Sequence, residues 1–151
     1  MKIRKTTIKD NVVCLKIAKA LPEWFNEKGI LEIVEDLSSL TTYVFEEDKI
    51  LAYACIKNKS DKVVEIKQLA VDRDSQRHGI GTELIAYIAK VVAPGKIIEV
   101  KTLDESCEYK PYIETRSFYE KNGFIKIEVI DPYPEWGEGN PCAIYIKYPL
   151  K

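Results

Sequence analysis

Apolar and polar positions along this chain recur with two periods, and each change of period marks an element. Ile3 to Ile8 reads as a first strand, and Asp10 caps a helix whose apolar positions Val13, Ile17, Ala18 and Leu21 fall at helical spacing until Pro22 ends it. After the aromatic pair Trp24-Phe25, Asn26 caps a second helix with Ile30, Ile33, Val34 and Leu37 on one face. Thr41 to Phe45 and Ile50 to Lys57 predict an antiparallel hairpin around the acidic turn Glu46-Glu47-Asp48, and Asn58 to Asp61 turns the chain into a strand from Val63 to Val71. From Ile80 a helix aligns Leu84, Ile85, Ile88 and Val92 before Pro94-Gly95 stops it, and Lys96 to Thr102 is the next strand. Strand, helix, strand at this spacing is a parallel pair with a right-handed crossover. Asp104 to Pro111 reads as a polar loop, Thr115 to Asn122 as a short helix capped by Gly123, and Phe124 folds back on the turn carrying Phe118 and Tyr119. Ile125 to Ile130 and Ala143 to Tyr148 close the chain. Of the twelve residues between them, the eleven from Asp131 to Pro141 hold three prolines, two glycines, Tyr133 and Trp136, a length at which ordered loops are often functional.

The strand from Val63 to Val71 carries a finer signal. Its apolar residues sit at Val64 and Ile66, then at Leu69 and Val71, so the buried parity switches across Lys67-Gln68. Strand side chains alternate faces strictly, and one face keeps its apolar set only if an extra residue is accommodated. The pattern predicts a β-bulge at Lys67-Gln68; the competing reading is a strand buried on both faces, with Gln68 satisfied by a neighbour.

Composition narrows the function classes. The chain has 151 residues, 46% hydrophobic and 31% charged, with 23 basic against 24 acidic side chains. That length fits one domain, 1–151, and the charge balance points to neither nucleic acid nor an anionic membrane surface. No apolar run approaches the ~18 residues of a spanning segment, and the start, Met1 to Thr6, lacks an apolar secretory core, so a cytoplasmic protein is expected. Cys14, Cys55, Cys107 and Cys142 are 41, 52 and 35 residues apart, which is neither a redox pair nor zinc spacing. They are expected as buried thiols, with no metal.

The candidate chemistry lies where Val71 runs through Asp72-Arg73-Asp74-Ser75 into Gln76-Arg77-His78-Gly79-Ile80-Gly81. A strand feeding a glycine turn at a helix N-terminus aims backbone N–H groups and the helix dipole at one spot, which suits phosphate. A P-loop is excluded, because Gly81 is followed by Thr82-Glu83 and position 76 is Gln. A dinucleotide fingerprint fits poorly: position 84, where it needs a small residue, is Leu. What fits is Gln/Arg-x-x-Gly-x-Gly after a strand ending in Leu-Ala-Val, joined about forty residues later by Phe118-Tyr119-Glu120-Lys121-Asn122-Gly123-Phe124. In these motifs, and over nearly its whole length, the chain resembles the GCN5-related N-acetyltransferase (GNAT) family. Tyr112 to Phe124, Trp136-Gly137 and Asn140-Pro141 are similar to a bacterial or archaeal branch whose acceptors are mostly unassigned.

The resemblance implies an α+β fold: a mixed, mostly antiparallel sheet of six or seven strands with one splayed parallel pair, and about four helices on its two faces. It implies an acetyl-coenzyme A site in that splay. The pyrophosphate would rest on main-chain amides of the turn, with Gln76, Arg77, His78, Gly79, Ile80, Gly81 and Thr82 as its residues, and the pantetheine arm would pair with Leu69, Ala70 and Val71. A freed amide near Leu69 would polarise the thioester carbonyl. His78 is read as a solvated turn residue rather than a base. Tyr119 matches the family's general acid; a tyrosine near pKa ~10 giving its proton to a thiolate of conjugate-acid pKa ~8.5 is uphill by only about 2 kcal/mol. The other reading of Tyr119 is a core residue. Glu65 aligns with the glutamate base of histone-acetylating members; its bland alternative is an exposed strand residue paired with Lys67 or a neighbouring strand. An ammonium of pKa ~10.4 lies about three units, roughly 4 kcal/mol, from its neutral form at pH 7, so a base acting directly or through water is useful. For the acceptor, relatives use the first two helices and the last loop, here Trp24, Phe25, Tyr133, Glu135, Trp136 and Glu138, with Tyr109, Tyr112 and Arg116 as further cleft candidates. Aromatic rings with carboxylates suit a cationic amine. A small-molecule amine is the first reading, a protein N-terminus or lysine the second, and a non-catalytic acyl-CoA-binding module the alternative from another class; a homodimer is possible.

Overall fold

The computed structural model describes residues 2–149, so Met1 and the last two residues of the expected 1–151 domain lie outside it. Seven strands form one sheet in the order β1-β2-β3-β4-β5-β7-β6: β1 (Lys2–Lys5), β2 (Thr41–Glu46), β3 (Ile50–Asn58), β4 (Val63–Val71), β5 (Ile97–Leu103), β6 (Ile125–Ile130) and β7 (Cys142–Lys147). Only β4 and β5 run parallel, and they pair only from Val63↔Ile97 to Glu65↔Glu99. Beyond Glu65 the two strands part while each keeps its antiparallel partner on the other side.

Four helices cover the sheet. α1 (Asn11–Lys19) and α2 (Glu27–Ser39) bury Cys14, Ile17, Ile33 and Leu37 against Val44, Tyr53 and Cys55 on one face. α3 (Ile80–Tyr87) and α4 (Pro111–Lys121) bury Ile85 and Tyr119 against Ala54, Ile56, Val64, Ile66 and Val100 on the other. The alternation of even and odd positions along β3 is what feeds both cores.

The expected boundaries shift at three places, each with a local cause. The first strand stops at Lys5, because Thr7 and Asp10 bond reciprocally and draw Ile8–Asp10 into a 3-10 turn that leaves Ile8 85% exposed. Asp10 therefore grips Arg4 at 2.8 Å and does not close the N-terminus of α1. α4 starts at Pro111 instead of Thr115, since proline's fixed φ suits a first helical turn. The helix after the glycine turn is α-helical only to Tyr87 and continues as a wider π turn from Ile88 to Val92. Asn26 caps α2 as expected, its Oδ1 accepting from Gly29 N at 2.9 Å. Cys14, Cys55 and Cys142 are buried, while Cys107 is half-exposed. Burial pushes the Cys14 and Cys55 thiols up to about 12.

The bulge falls where the parity switch puts it. Pairing with β3 jumps from Cys55↔Gln68 to Ile56↔Ile66, which leaves Lys67 as the extra residue. Val64 and Ile66 before it and Leu69 after it then contribute to the same core on the α3 side. Lys67 and Gln68 instead both turn toward α2. There Asp36, 4% exposed, accepts from Lys67 Nζ at 3.0 Å and from Gln68 Nε2 at 2.9 Å. Burial opposes the Lys67 charge, but Asp36 and then Glu32 outweigh it and hold its pKa above the ordinary value. Replacing Asp36 with alanine leaves an amide and an ammonium without their buried acceptor, and is expected to cost about 1–3 kcal/mol in urea unfolding. Asp36→Asn, which keeps one acceptor oxygen, is expected to cost less.

Candidate active site

The turn after β4 is built to expose backbone N–H groups. Asp72 N donates to Leu51 O at 2.7 Å and Gln76 Nε2 to Val71 O at 3.1 Å, so the side chain of Gln76 braces the turn. Arg77 (φ 66°) and Gly79 (φ 81°) both adopt the left-handed conformation, and Gly79 is the residue on which α3 begins. For arginine this costs about 1–2 kcal/mol, a strain found where a backbone concavity serves as an anion nest. The first-turn amides of α3, at Ile80, Gly81 and Thr82, adjoin it without partners inside the helix. Gly81 contributes by its size alone: a Cβ there would stand 2.8 Å from Phe118 Cζ, so the missing side chain is what lets α4 approach α3. The ring of His78 has Nδ1 3.2 Å from Ser75 O, in keeping with a turn residue. A cavity of about 390 Å³ lies on the β2–β3 side of this turn, but Glu47, Asp74 and Glu83 line it and repel phosphate.

The two proposed chemical groups stand on opposite faces of the sheet, by the gap where β4 and β5 part. Tyr119 packs against Phe118 and Phe124, with ring centroids at 5.4 and 5.3 Å, and Gly123 (φ 86°) folds Phe124 back so that its N–H reaches Tyr119 O at 3.0 Å. Burial, and secondarily Tyr112, raise the Tyr119 hydroxyl above its ordinary pKa. Glu65 is 2% exposed, contrary to the exposed-strand reading, but its partner, Lys101 at 3.4 Å, is on the neighbouring strand β5, the second of the two pairings that reading offered, and not Lys67. Burial opposes the Lys101 charge, yet Glu65 first, then Tyr133 and Glu99, hold its pKa well above the ordinary lysine value. Glu65 and Lys101 line a cavity of about 40 Å³, closed by Glu32, Lys67, Tyr133, Glu135 and Trp136, which is room for about one small polar group.

The acceptor candidates divide. Trp136 lines that cavity with Glu65, and Lys28 Nζ ties α2 to Glu135 O at 2.7 Å beside it. Trp24 and Tyr112 bind each other's segments: Trp24 Nε1 donates to Thr115 Oγ1 at 3.1 Å and to Pro111 O at 3.3 Å, and Tyr112 OH donates to Trp24 O at 3.1 Å. Phe25 is half-buried against the α1–α2 core. Arg116 is buried within α4 with Nη1 donating to Leu103 O at 2.8 Å, so its charge does not face the cavity. Glu23, next to Trp24, pairs with Arg73 in two hydrogen bonds at 2.7 and 2.8 Å, and Arg73 also donates to Ala20 O. The α1–α2 loop is thus latched both to the glycine turn and to the start of α4. Sequence reading missed Lys101, Glu32, Arg73 and Glu23. The acidic and basic identities were visible, but pairing them needs the register of β4 on β5 and the path of the loop. Among the described residues no group of three or more His, Cys, Asp or Glu side chains gathers for a metal.

Residues 38–126 match the family model described as an acetyltransferase (GNAT) domain, more than half of the chain. No curated protein sequence matches. Among solved structures, one described as of the GNAT family, from Desulfovibrio desulfuricans, superposes with a TM-score of 0.81 at 18% identity, over 97% of this chain and 98% of that one. A GNAT-family acetyltransferase from Bacillus cereus gives 0.74 at 16% identity, over 99% and 98%. An aminoglycoside 6'-N-acetyltransferase complexed with coenzyme A gives 0.69 at 18%, over 100% and 98%.

The latch carries its own test. Arg73 holds the Glu23 carboxyl at about 2, below the ordinary value near ~4.3, so the latch is favoured above pH ~4.3 and lost as pH falls toward about 2. In a Trp136→Phe background, Trp24 emission is expected to stay constant from pH 5 to 9 and to change below ~4.3. In Glu23→Gln the loosened emission is expected already at neutral pH.

Proposed function

The chain belongs to the GNAT acetyltransferase family, and from that premise we propose that it moves an acetyl group from acetyl-coenzyme A directly to a primary amine, first of all of a small molecule, in the cytoplasm. The observation that carries the reading is the left-handed pair Arg77 and Gly79, a strained amide-presenting turn at the head of α3, beside a parallel strand pair that opens after Glu65. The amides of Arg77 through Thr82 hold the pyrophosphate, and Leu69, Ala70 and Val71 hold the pantetheine arm along the edge of β4 that lacks a neighbour. The bound complex of the aminoglycoside 6'-N-acetyltransferase supports coenzyme A as the donor group. No described helix is long and apolar enough to cross a membrane, which is compatible with the cytoplasmic reading.

The amine nitrogen attacks the thioester carbon, whose oxygen gathers negative charge against a β4 amide near Leu69. The C–S bond then breaks, the thiolate takes the proton of Tyr119, and the nitrogen, cationic after attack, sheds a proton as the amide forms, which returns through water to the tyrosinate. Burial binds the Tyr119 proton more tightly than water does, but the same dry surroundings raise the basicity of the thiolate, so the transfer stays within reach. Glu65, fixed by Lys101, faces the acceptor cavity, where before attack it accepts a hydrogen bond from the incoming ammonium or from the water that carries that ammonium's proton out to solvent, leaving the neutral amine. Glu32, Glu135 and Trp136 complete a rim that favours a cation.

Acetyl-CoA-dependent release of free thiol across a panel of amines tests the reading. Saturable, acceptor-dependent release is expected, and binding without release for every amine would indicate an acyl-CoA-binding module instead. Tyr119→Phe is expected to lower kcat by about 10²–10⁴ while acetyl-CoA still raises Tm. Undiminished turnover in a folded Tyr119→Phe protein removes that residue from the mechanism.

A further inference from the structure

Among the described residues, Tyr53 OH and Thr102 Oγ1 are fully buried without a hydrogen-bond partner. A hydroxyl in that state costs stability, and phenylalanine or valine would fill the same space without the cost. Tyr53 stands in the α1–α2 core, with β2 paired on one side of it and β4 on the other. Thr102, 2% exposed, is placed differently. It pairs with Ala143 of β7 on one side, whereas on its other side the pairing of β5 with β4 has already ended at Glu99.

The register decides what lies across that gap. Counting on from Glu65↔Glu99, with Lys67 as the extra residue of the bulge, Ile66 stands across from Val100, Gln68 from Lys101 and Leu69 from Thr102. The side chains agree with this count. Ile66 and Val100 both belong to the α3-side core, while Gln68 reaches Asp36 and Lys101 lines the cavity beside Glu32, both on the α2 side. Leu69 returns to the α3-side core, and Thr102 shares the face of Val100 because strand side chains alternate. Tyr119 is on that face too, in one core with Val100 and with Ala143, the β7 partner of Thr102. Arg116 Nη1, donating to Leu103 O at 2.8 Å, draws α4 over the same end of β5. The unpartnered hydroxyl is thus on the β5 side of the gap, across from the residue whose amide is assigned to the thioester and on the face of the general acid.

Acetyl transfer supplies an acceptor for it. A thioester sulfur is a poor hydrogen-bond acceptor, but once it holds the electron pair of the broken C–S bond it is a charged and strong one. We propose that Thr102 is a further catalytic residue, whose hydroxyl donates a hydrogen bond to the leaving sulfur while Tyr119 supplies the proton that neutralises it; the role rests on the acetyl-transfer reading. The threonine keeps its own proton throughout, so the proton balance of the reaction is unchanged. A hydrogen bond that strengthens only as charge develops acts on kcat more than on KM.

Two measurements on the full chain test it, one of them without turnover. In thiol-release assays Thr102→Val is expected to lower kcat by about tenfold or more with KM for acetyl-CoA nearly unchanged, and Thr102→Ser, which keeps a hydroxyl, to retain most of the wild-type rate. By calorimetry at about pH 9, where a free thiol is largely ionised, the wild type is expected to bind coenzyme A more tightly than desulfo-coenzyme A, and Thr102→Val to narrow that ratio by about tenfold. Without ligand, Thr102→Val is expected to melt no lower than the wild type, since it removes a buried hydroxyl that has no partner. An unchanged kcat or an unchanged binding ratio in Thr102→Val overturns the role of Thr102 and leaves acetyl transfer standing. A wild type that releases no thiol for any amine overturns the acetyl-transfer reading, and this role with it. Should Thr102→Val not fold, Thr102→Ala against Thr102→Ser carries the same two measurements.

Discussion

Asp36 sets the geometry on which the rest of the site depends, because it compensates a defect in the middle of the sheet. An extra residue in a central strand disrupts the ladder and turns two successive side chains to one face, where without Asp36 the Gln68 amide would lose its acceptor and Lys67 would keep only Glu32. The carboxylate of α2 takes one hydrogen bond from each. The clasp keeps Leu69 in step with the α3-side core and lets β4 diverge from β5 after Glu65. The opening between β4 and β5 is therefore secured from the helix on the far side of the sheet, not by the residues that line it.

Electrostatics around that opening follow the same division. On the α3 face the environment is aromatic and nearly uncharged, and burial there holds the proton on the Tyr119 hydroxyl. On the α2 face charge is dense but paired: Lys67 between Asp36 and Glu32, Lys101 between Glu65 and Glu99. Paired lysines leave the carboxylates ordered without making the cavity basic, and Glu135 adds an acid at its rim.

Much of this was legible in the chain, for reasons that differ by element. The bulge could be read because a face change in a strand is recorded by a single slip of parity, Ile66 to Leu69. The glycine turn could be read because only glycine tolerates the Gly79 conformation without strain. Arg77 is left-handed too, and nothing in its identity announces it. The start of α4 was misplaced because Lys110-Pro111-Tyr112 reads as loop by polarity, and only the preference of proline for a first helical turn argues otherwise. Arg116 looked like a binding residue because a lone arginine in a polar segment does; that it turns inward to Leu103 O depends on a contact no local pattern encodes. Lys101 went unread for a similar reason: the side chain across from Glu65 is decided by a parallel register, which periodicity within either strand does not specify.

The latch between Trp24 and Thr115 joins residues 91 apart in sequence, while the hairpin of β2 and β3 and the crossover of β4, α3 and β5 form over much shorter spans. Closing a long loop costs chain entropy before any contact offsets it, so contacts of this kind come late in folding. The sheet and its bulge can be complete while the α1–α2 loop is still unlatched from α4. Docking of this loop onto α4 then trails assembly of the sheet, and a newly made chain holds its native strand order before its first two helices are tied to its fourth.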